Sequence, residues 1–272
     1  MNELLKLEFR KLKRQKWFYI GLAIMIALLI IAAFLQKVIP NAFSGFIPDD
    51  PEQQEAMGLT PEDVAEMKEA LNLDERGAFI IGASSAAMYT ILSAIFVSVF
   101  VCEDYELQTV KNIFSRGYSR KSVFFSKAIT VFVSCTVLFI IIHLAAALLA
   151  VLILGMKKLD TAIFKNLAVL YLVCMAFNAL QLAVSSMIRK SGGSIAVCIL
   201  APLIISMLLS AIQSLLKFDS FTISNYWIES FLDPASRLET SGKRLAEIAI
   251  ASGVYIALFT FLGNLFSGRA EV

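Results

Sequence analysis

Six long apolar stretches are the feature that most constrains how this chain folds. They lie at about 17–36, 78–102, 128–154, 162–188, 194–216 and 247–266. A helix rises about 1.5 Å per residue, so about 20 apolar residues cross a hydrocarbon layer of about 30 Å. Charged residues are only 17% of the 272 residues, whereas a soluble domain has about 25%. The sequence therefore predicts an all-α, polytopic membrane protein with six transmembrane helices, in a single domain over residues 1–272.

The residues before the first stretch, 2–16, alternate apolar and basic side chains. The apolar ones are Leu4, Leu5, Leu7, Phe9 and Leu12, and the basic ones are Lys6, Arg10, Lys11, Lys13, Arg14 and Lys16. This pattern predicts an amphipathic helix in the membrane interface, with leucines toward lipid and cations toward anionic headgroups. Lys6, Arg10, Lys13 and Arg14 are the cations expected on its polar face. The alternative is a solvated basic tail beside the first span.

The distribution of charge predicts the orientation of the chain. Loop 37–77 has ten carboxylates between Asp49 and Glu75 against Lys68 and Arg76, and it contains a predicted helix near 61–72 that starts at Thr60. With six spans both termini share a face, and that face also holds 103–127 and 189–193. Since it carries 14 of the 24 Lys and Arg residues, the positive-inside rule places both termini in the cytoplasm. Loop 37–77 is then extracellular. Lys157, Lys158 and Lys165 run against this assignment.

Residues that carry chemistry are sparse in the apolar stretches. The four cysteines lack metal-ligand spacing and His143 is the only histidine, so no metal site is expected. An intramembrane serine-type enzyme would need Ser84 or Ser85 with His143. An ion-coupled transporter would need charge at membrane depth, and no buried acid/base pair is expected in the spans. Residues 263–270 imitate a phosphate loop but have Arg for its Lys and Ala for its Ser/Thr, which predicts no nucleotide site in this chain.

The charged segment 103–121 lies between the second and third apolar stretches. It contains Glu103 and Asp104, then Thr109-Val110-Lys111-Asn112, Ser115-Arg116-Gly117 and Ser119-Arg120. This order resembles the cytoplasmic loop of ABC-2-type exporter permeases, in which an acidic residue, Gly-Thr, a short helix and a Ser-Arg element follow one another. Gln108 stands where that family usually has the Gly. The alternative is a charged segment that only fixes the topology.

The resemblance implies a permease subunit that docks on a separately encoded ATPase, which binds ATP and Mg. It implies a coupling helix at 106–116, a second cytoplasmic contact at Arg189 and Lys190, and a second permease copy or a homologous permease. The implied coupling residues are Glu103, Asp104, Glu106, Thr109, Lys111, Asn112, Arg116 and Arg120. The implied function is export of a hydrophobic or amphipathic substrate, such as a drug, peptide antibiotic or lipid, across a bacterial cell membrane. No catalytic residue is expected in this chain. Nucleic acid is not an expected partner, because the chain lacks a sustained basic face.

Overall fold

A computed structural model of the protein describes residues 2–43, 77–149, 151–152, 161–216, 223–238 and 240–269. The helices are α1 (Asn2–Arg14), α2 (Lys16–Phe43), α3 (Gly77–Glu106), α4 (Thr109–Ser115), α5 (Arg120–Leu149), α6 (Thr161–Ile188), α7 (Ser191–Leu216), α8 (Leu232–Ser236) and α9 (Gly242–Arg269). Two 3₁₀ turns, Ile223–Tyr226 and Ile228–Phe231, precede α8. The regular structure of the described ranges is entirely helical, which confirms the predicted fold class.

Six of these helices are long and apolar enough to cross a membrane: α2, α3, α5, α6, α7 and α9. This confirms the six predicted spans, although several helices extend beyond the predicted limits. The third begins at Arg120 rather than 128, and the last begins at Gly242 rather than 247. The limits differ because polar residues at a membrane surface continue a helix as readily as apolar ones. The predicted helix at 61–72 lies outside the described residues.

The bundle is organised around α3 and α6, the two most buried spans. Helix α6 contacts α3, α5, α7 and α9, while α2, α7 and α9 leave most of their surface uncovered. Inside the bundle, Ser185 on α6 shares a hydrogen bond of 2.7 Å with Ser194 on α7, whose hydroxyl donates to Ser98 on α3 at 3.0 Å. Small hydroxyl side chains of this kind let membrane helices approach closely while satisfying one another.

Gly263 shows how closely α9 approaches its neighbours. A Cβ atom at this position would lie 2.9 Å from the ring of Phe124 on α5 and 3.2 Å from the backbone of Ala183 on α6. Because α9 continues as one helix to Arg269, the glycine-containing segment 263–270 begins inside a packed helix. Gly263 therefore serves helix packing.

The aromatic segment before α9 packs onto the bundle. Ile228 and Phe231 are buried, and the indole Nε1 of Trp227 donates a hydrogen bond of 3.0 Å to the carbonyl of Pro202 in α7. Burial raises the pKa of the Glu229 carboxyl above its ordinary value. We expected this segment to dip into the membrane interface, and in the structure much of its apolar surface is covered by the bundle instead.

Candidate functional site

The charged segment folds as the end of one span followed by a short separate helix. Helix α3 runs through Glu106, so Glu103, Asp104 and Glu106 belong to the span itself. Helix α4 begins at Thr109 and ends at Ser115. The coupling helix predicted at 106–116 is thus shorter at both ends. The physical reason lies in the turn at Leu107 and Gln108, which interrupts the helical conformation.

Gln108 sets that turn in a left-handed conformation. Its φ is 55° and its ψ is 16°, and the backbone N–H of Lys111 donates to its carbonyl at 3.2 Å. Glycine adopts this region of backbone space without steric cost, whereas other residues are strained there through their Cβ atom. This geometry explains why a glycine suits the position before Thr109, and it shows that Gln108 keeps the turn.

Helix α4 presents three different faces. Val110 and Ile113 are buried against the protein, and Ile113 packs with Leu4 of α1 and Val123 of α5. Lys111 is exposed on another face. The third face carries Thr109, Asn112 and Arg116, which line a cavity between α4 and α1. A helix of seven residues held by its apolar face can present its exposed side chains in a fixed register.

A buried lysine joins the helices behind α4. Lys127 on α5 is 2% exposed, and its ammonium forms an ion pair and a hydrogen bond with the carboxylate of Asp104 on α3. It also lies 3.3 Å from the carboxylate of Glu8 on α1, which is fully buried. A charge removed from water is tolerated only where opposite charges and hydrogen bonds compensate it. Lys127 therefore requires all three helices to be in place.

A second lysine extends this arrangement toward the surface. Lys11 on α1 donates a hydrogen bond of 2.9 Å to Asp104, lies 3.3 Å from Glu103, and donates to the carbonyl of Phe100 at 3.1 Å. The ring of Phe100 lies below both ammoniums, 4.9 Å from Lys11 and 5.5 Å from Lys127. We call Glu8, Lys11, Glu103, Asp104 and Lys127 the ion cluster. The hydroxyl of Thr109 also donates to Asp104 at 3.2 Å, which connects the start of α4 to it.

The ion cluster corrects two expectations from the sequence. The spans were expected to hold no buried acid/base pair, yet Asp104 and Lys127 are one, near the ends of the second and third spans. Lys127 was expected to mark the start of the third span, but α5 begins at Arg120 and Lys127 lies buried within it. The spacing of Leu4, Glu8, Lys11 and Gln15 along one helical face was the available signal. It was missed because charged residues are normally assigned to the solvent face.

The predicted coupling residues separate into internal and exposed groups. Asp104 is 7% exposed and Glu103 faces Lys11, so their positions favour holding α1 and α5 over contact with a partner. Lys111, Asn112 and Arg116 are exposed on α4. Arg120 lies over the ring of Phe114 at 5.8 Å and donates to the carbonyl of Gly268 in α9 at 3.0 Å. The ATPase-coupling role of these residues remains a prediction.

The second predicted contact, at Arg189 and Lys190, adjoins the same region. The carboxylate of Glu106, at the end of α3, accepts hydrogen bonds from the backbone N–H and the hydroxyl of Ser191, at 2.6 and 2.8 Å. An acceptor at this place satisfies the first turn of α7. Arg189 has a φ of 59°, and its guanidinium lies 4.7 Å from the centre of the Tyr105 ring. The two loops thus meet at one end of the bundle, which we call the α4 end.

The N-terminal helix is amphipathic in a different sense from the one expected. Its cations Lys6, Arg10, Lys13 and Arg14 are exposed or nearly so, as predicted. However, its inner face, Leu4 and Glu8, packs against the protein rather than lipid. Leu7, at 42% exposure, remains open to the surroundings. Helix α1 is therefore anchored to the bundle by the ion cluster and by Leu4.

Little in the described part of the chain favours catalysis. The Nδ1 atom of His143 is 2.8 Å from the carbonyl of Phe139, and its ring stacks on that of Phe139, as expected for a packed histidine. The side chains of Ser84 and Ser85 lie outside those that the structure describes. All four cysteines are buried and free. Among the described residues, no three His, Cys, Asp or Glu side chains are placed to hold a metal ion.

Comparison with known proteins places the chain in a family. The model of the ABC-2 family transporter protein matches residues 4–210, which covers α1, α4, the ion cluster and most of α7. None of the curated proteins compared with the chain matches it. The family match covers well over half of the sequence and agrees with the six apolar helices. The chain therefore belongs to the ABC-2 transporter family, whose members are membrane-spanning components of transporters that work with an ABC ATPase.

Proposed function

We propose that this chain is the permease subunit of an ABC exporter and that α4 is the helix on which the ATPase docks. The observation that carries the proposal is the ion cluster behind α4, which connects α4 through Thr109 and Asp104 to α1, α3 and α5. A short helix held in this way transmits a push from a partner to two spans at once. The ATPase subunit binds ATP and Mg, and this chain supplies no nucleotide site.

The exposed face of α4 supports the same proposal. Lys111 points away from the buried residues Val110 and Ile113 and offers a charge that fixes the register against a complementary surface. Arg189 and Lys190 lie beside the end of α3 and supply a smaller second contact. In this arrangement the α4 end is cytoplasmic, both termini are cytoplasmic, and loop 37–77 faces outward.

The working transporter has two permeases and two ATPase subunits, the second permease being another copy of this chain or a homologue. The uncovered apolar surface of α7, with Met207 and Leu215 at 77% and 80% exposure, supports a surface that meets lipid or a second permease. The transport path lies between the permeases, beside the span-two helix α3 and the span-five helix α7. Its substrate is hydrophobic or amphipathic, as in an exporter of drugs, peptide antibiotics or lipids.

Co-purification from bacterial membranes tests this proposal. An ATPase subunit is expected to co-purify with the tagged full chain, and Lys111→Glu is expected to reduce the recovered ATPase strongly. Arg116→Glu is the second α4 variant to test. The matched control is Lys243→Glu, which makes the same charge change at the opposite end of α9 and leaves recovery unchanged. The proposal fails if no ATPase associates, or if the α4 variants and the control behave alike.

The buried charges raise the ion-coupled transporter as a second candidate, because Asp104 and Lys127 lie within candidate spans. Their mutual pairing, together with Glu8 and Lys11, favours a structural role. Transport by the reconstituted chain without any ATPase, driven by an ion gradient, would support the ion-coupled candidate. The serine-type enzyme would instead lose its activity in His143→Ala, whether or not an ATPase is present.

A further inference from the structure

A cavity of about 530 Å³ lies between α1 and α4, and the function proposed above leaves it without a role. It is enclosed on one side by α1 and on the other by Thr109, Asn112 and Arg116 of α4. Ligand-binding cavities in proteins have volumes of about 300–1,000 Å³, so this one is large enough for a small molecule or a lipid headgroup. The chemistry of its lining distinguishes between them.

The unneutralised charge in this cavity is positive. Arg10 and Arg116 line it, and neither has an ion-pair partner among the described residues. The acidic residues of the lining are already paired: Glu3 with Lys6 at 3.0 Å, and Asp104 with both lysines of the ion cluster. Two guanidinium groups without counter-ions, together with the polar groups of Thr109 and Asn112, fit a phosphate.

The remaining lining is apolar and lies at a membrane boundary. Leu4 and Leu7, one turn apart on α1, face the cavity together with Ile113. Just beyond α1, Trp17 and Tyr19 at the start of α2 are 52% and 53% exposed, as aromatic residues are at the level of lipid headgroups. A ligand with a phosphate and an adjoining apolar part satisfies both kinds of lining. Basic pockets between membrane helices bind anionic lipid headgroups for the same reason.

We propose that this cavity binds the headgroup of an anionic phospholipid, with its phosphate between Arg10 and Arg116 and its glycerol end against Leu4 and Leu7. The bound lipid bridges α1 and α4. The proposal does not depend on the ATPase, because it concerns the permease in its membrane alone. It therefore stands or falls separately from the exporter proposal.

The test compares two pairs of substitutions that remove the same charge. Arg10→Gln with Arg116→Gln empties the cavity of its unpaired cations. Lys13→Gln with Lys111→Gln is the matched control, since these residues are exposed on the same two helices but do not line the cavity. Binding of phosphatidylglycerol to the purified full chain is measured by native mass spectrometry, with phosphatidylcholine as the neutral lipid.

Saturable binding of phosphatidylglycerol but not phosphatidylcholine is expected. It weakens about thirtyfold in the Arg10/Arg116 variant, at roughly 1 kcal/mol for each lost cation. The Lys13/Lys111 variant binds as the original chain does. Arg10→Lys with Arg116→Lys retains part of the affinity, which separates loss of charge from a folding defect.

Three results would overturn the proposal. Equal weakening in both pairs of variants would show diffuse attraction to a basic surface. Displacement of the lipid by millimolar inorganic phosphate would identify a site for the free anion. Unchanged lipid binding combined with loss of the ATPase in the Arg10/Arg116 variant would show that an acidic part of the ATPase occupies the cavity.

Discussion

Lys127 of α5 and Asp104 of α3 form an ion pair inside the bundle, directly behind the turn that leads into α4. Glu8 of α1 lies on the other side of the same ammonium, at 3.3 Å. One buried cation thus holds together the N-terminal helix and the two spans that flank α4. We interpret this pair as the joint through which movement of α4 reaches the membrane helices.

Replacing Lys127 by Met tests the energetic weight of this joint. The variant leaves Asp104 and Glu8 buried with one cation fewer, and removing one partner of a buried pair costs about 3–5 kcal/mol. Lys11 still neutralises part of Asp104, which places the expected loss near the lower end. Thermal unfolding of the purified chain in detergent, followed by fluorescence, is expected to show a midpoint lower by several degrees.

The control for this variant is Lys121→Met in the first turn of the same helix, where the side chain is exposed. It is expected to change the unfolding free energy by no more than about 0.5 kcal/mol. Adding Asp104→Asn to Lys127→Met should cost less than the sum of the two single changes, because the residues interact directly. Strict additivity would show that the pair contributes no coupling energy.

Gln108→Gly is expected to stabilise the turn before α4. A left-handed conformation costs a residue with a Cβ about 1–2 kcal/mol. Glycine avoids this cost but loses about 0.5–1 kcal/mol more in backbone entropy. The net gain is thus up to about 1 kcal/mol, measurable as slower hydrogen exchange of the α4 amides. Lys111→Gly, inside right-handed α4, should instead lose about 1 kcal/mol. Equal destabilisation by both changes would mean that Gln108 is not left-handed.

Glu106→Ala should loosen the start of α7. The substitution removes the acceptor for the N–H and the hydroxyl of Ser191. Because the Glu106 side chain is exposed, water replaces part of this interaction, and the loss is about 1 kcal/mol or less. Hydrogen exchange of the Ser191 amide is expected to accelerate, while Glu106→Gln, which keeps an acceptor oxygen, changes it less. Unchanged exchange in Glu106→Ala would exclude this capping role.

The proposed orientation is tested by labelling engineered cysteines in intact cells. The four native cysteines are buried, so they react slowly with a membrane-impermeant maleimide. Lys243→Cys, at the end of α9 away from α4, is expected to react in intact cells. Asn112→Cys, on exposed α4, should react only after the membrane is opened. The reverse pattern would place the α4 end outside.

The sequence was sufficient for the six spans because a run of about 20 apolar residues matches the thickness of a bilayer and is rare in soluble proteins. It was also sufficient for a short helix after the second span, through Thr109 and the Ser-Arg elements. Gln108 departs from the family pattern, but its backbone conformation was not predictable, because glutamine gives no signal for positive φ.

The ion cluster could not be found from the sequence for a different reason. Lys11 and Asp104 are 93 residues apart, and their proximity depends on how α1 folds back on α3 and α5. A lone Lys127 at the edge of an apolar stretch is normally a residue at the membrane surface. Only the packed arrangement shows that it is buried and that Glu8 and Asp104 compensate its charge.

Helix α4 is expected to move together with α3 and α5, and the proposed coupling depends on this most directly. Spin labels at Asn112 on α4 and at the exposed Ile129 on α5 measure it, in the permease reconstituted with its ATPase. A second label pair, at Ile129 and at Leu208 on α7, reports whether the bundle rearranges when ATP binds. We predict that ATP changes the second distance and leaves the first unchanged and narrowly distributed. A first distance that shifts with ATP would contradict the coupling, because α4 would then move independently of the spans.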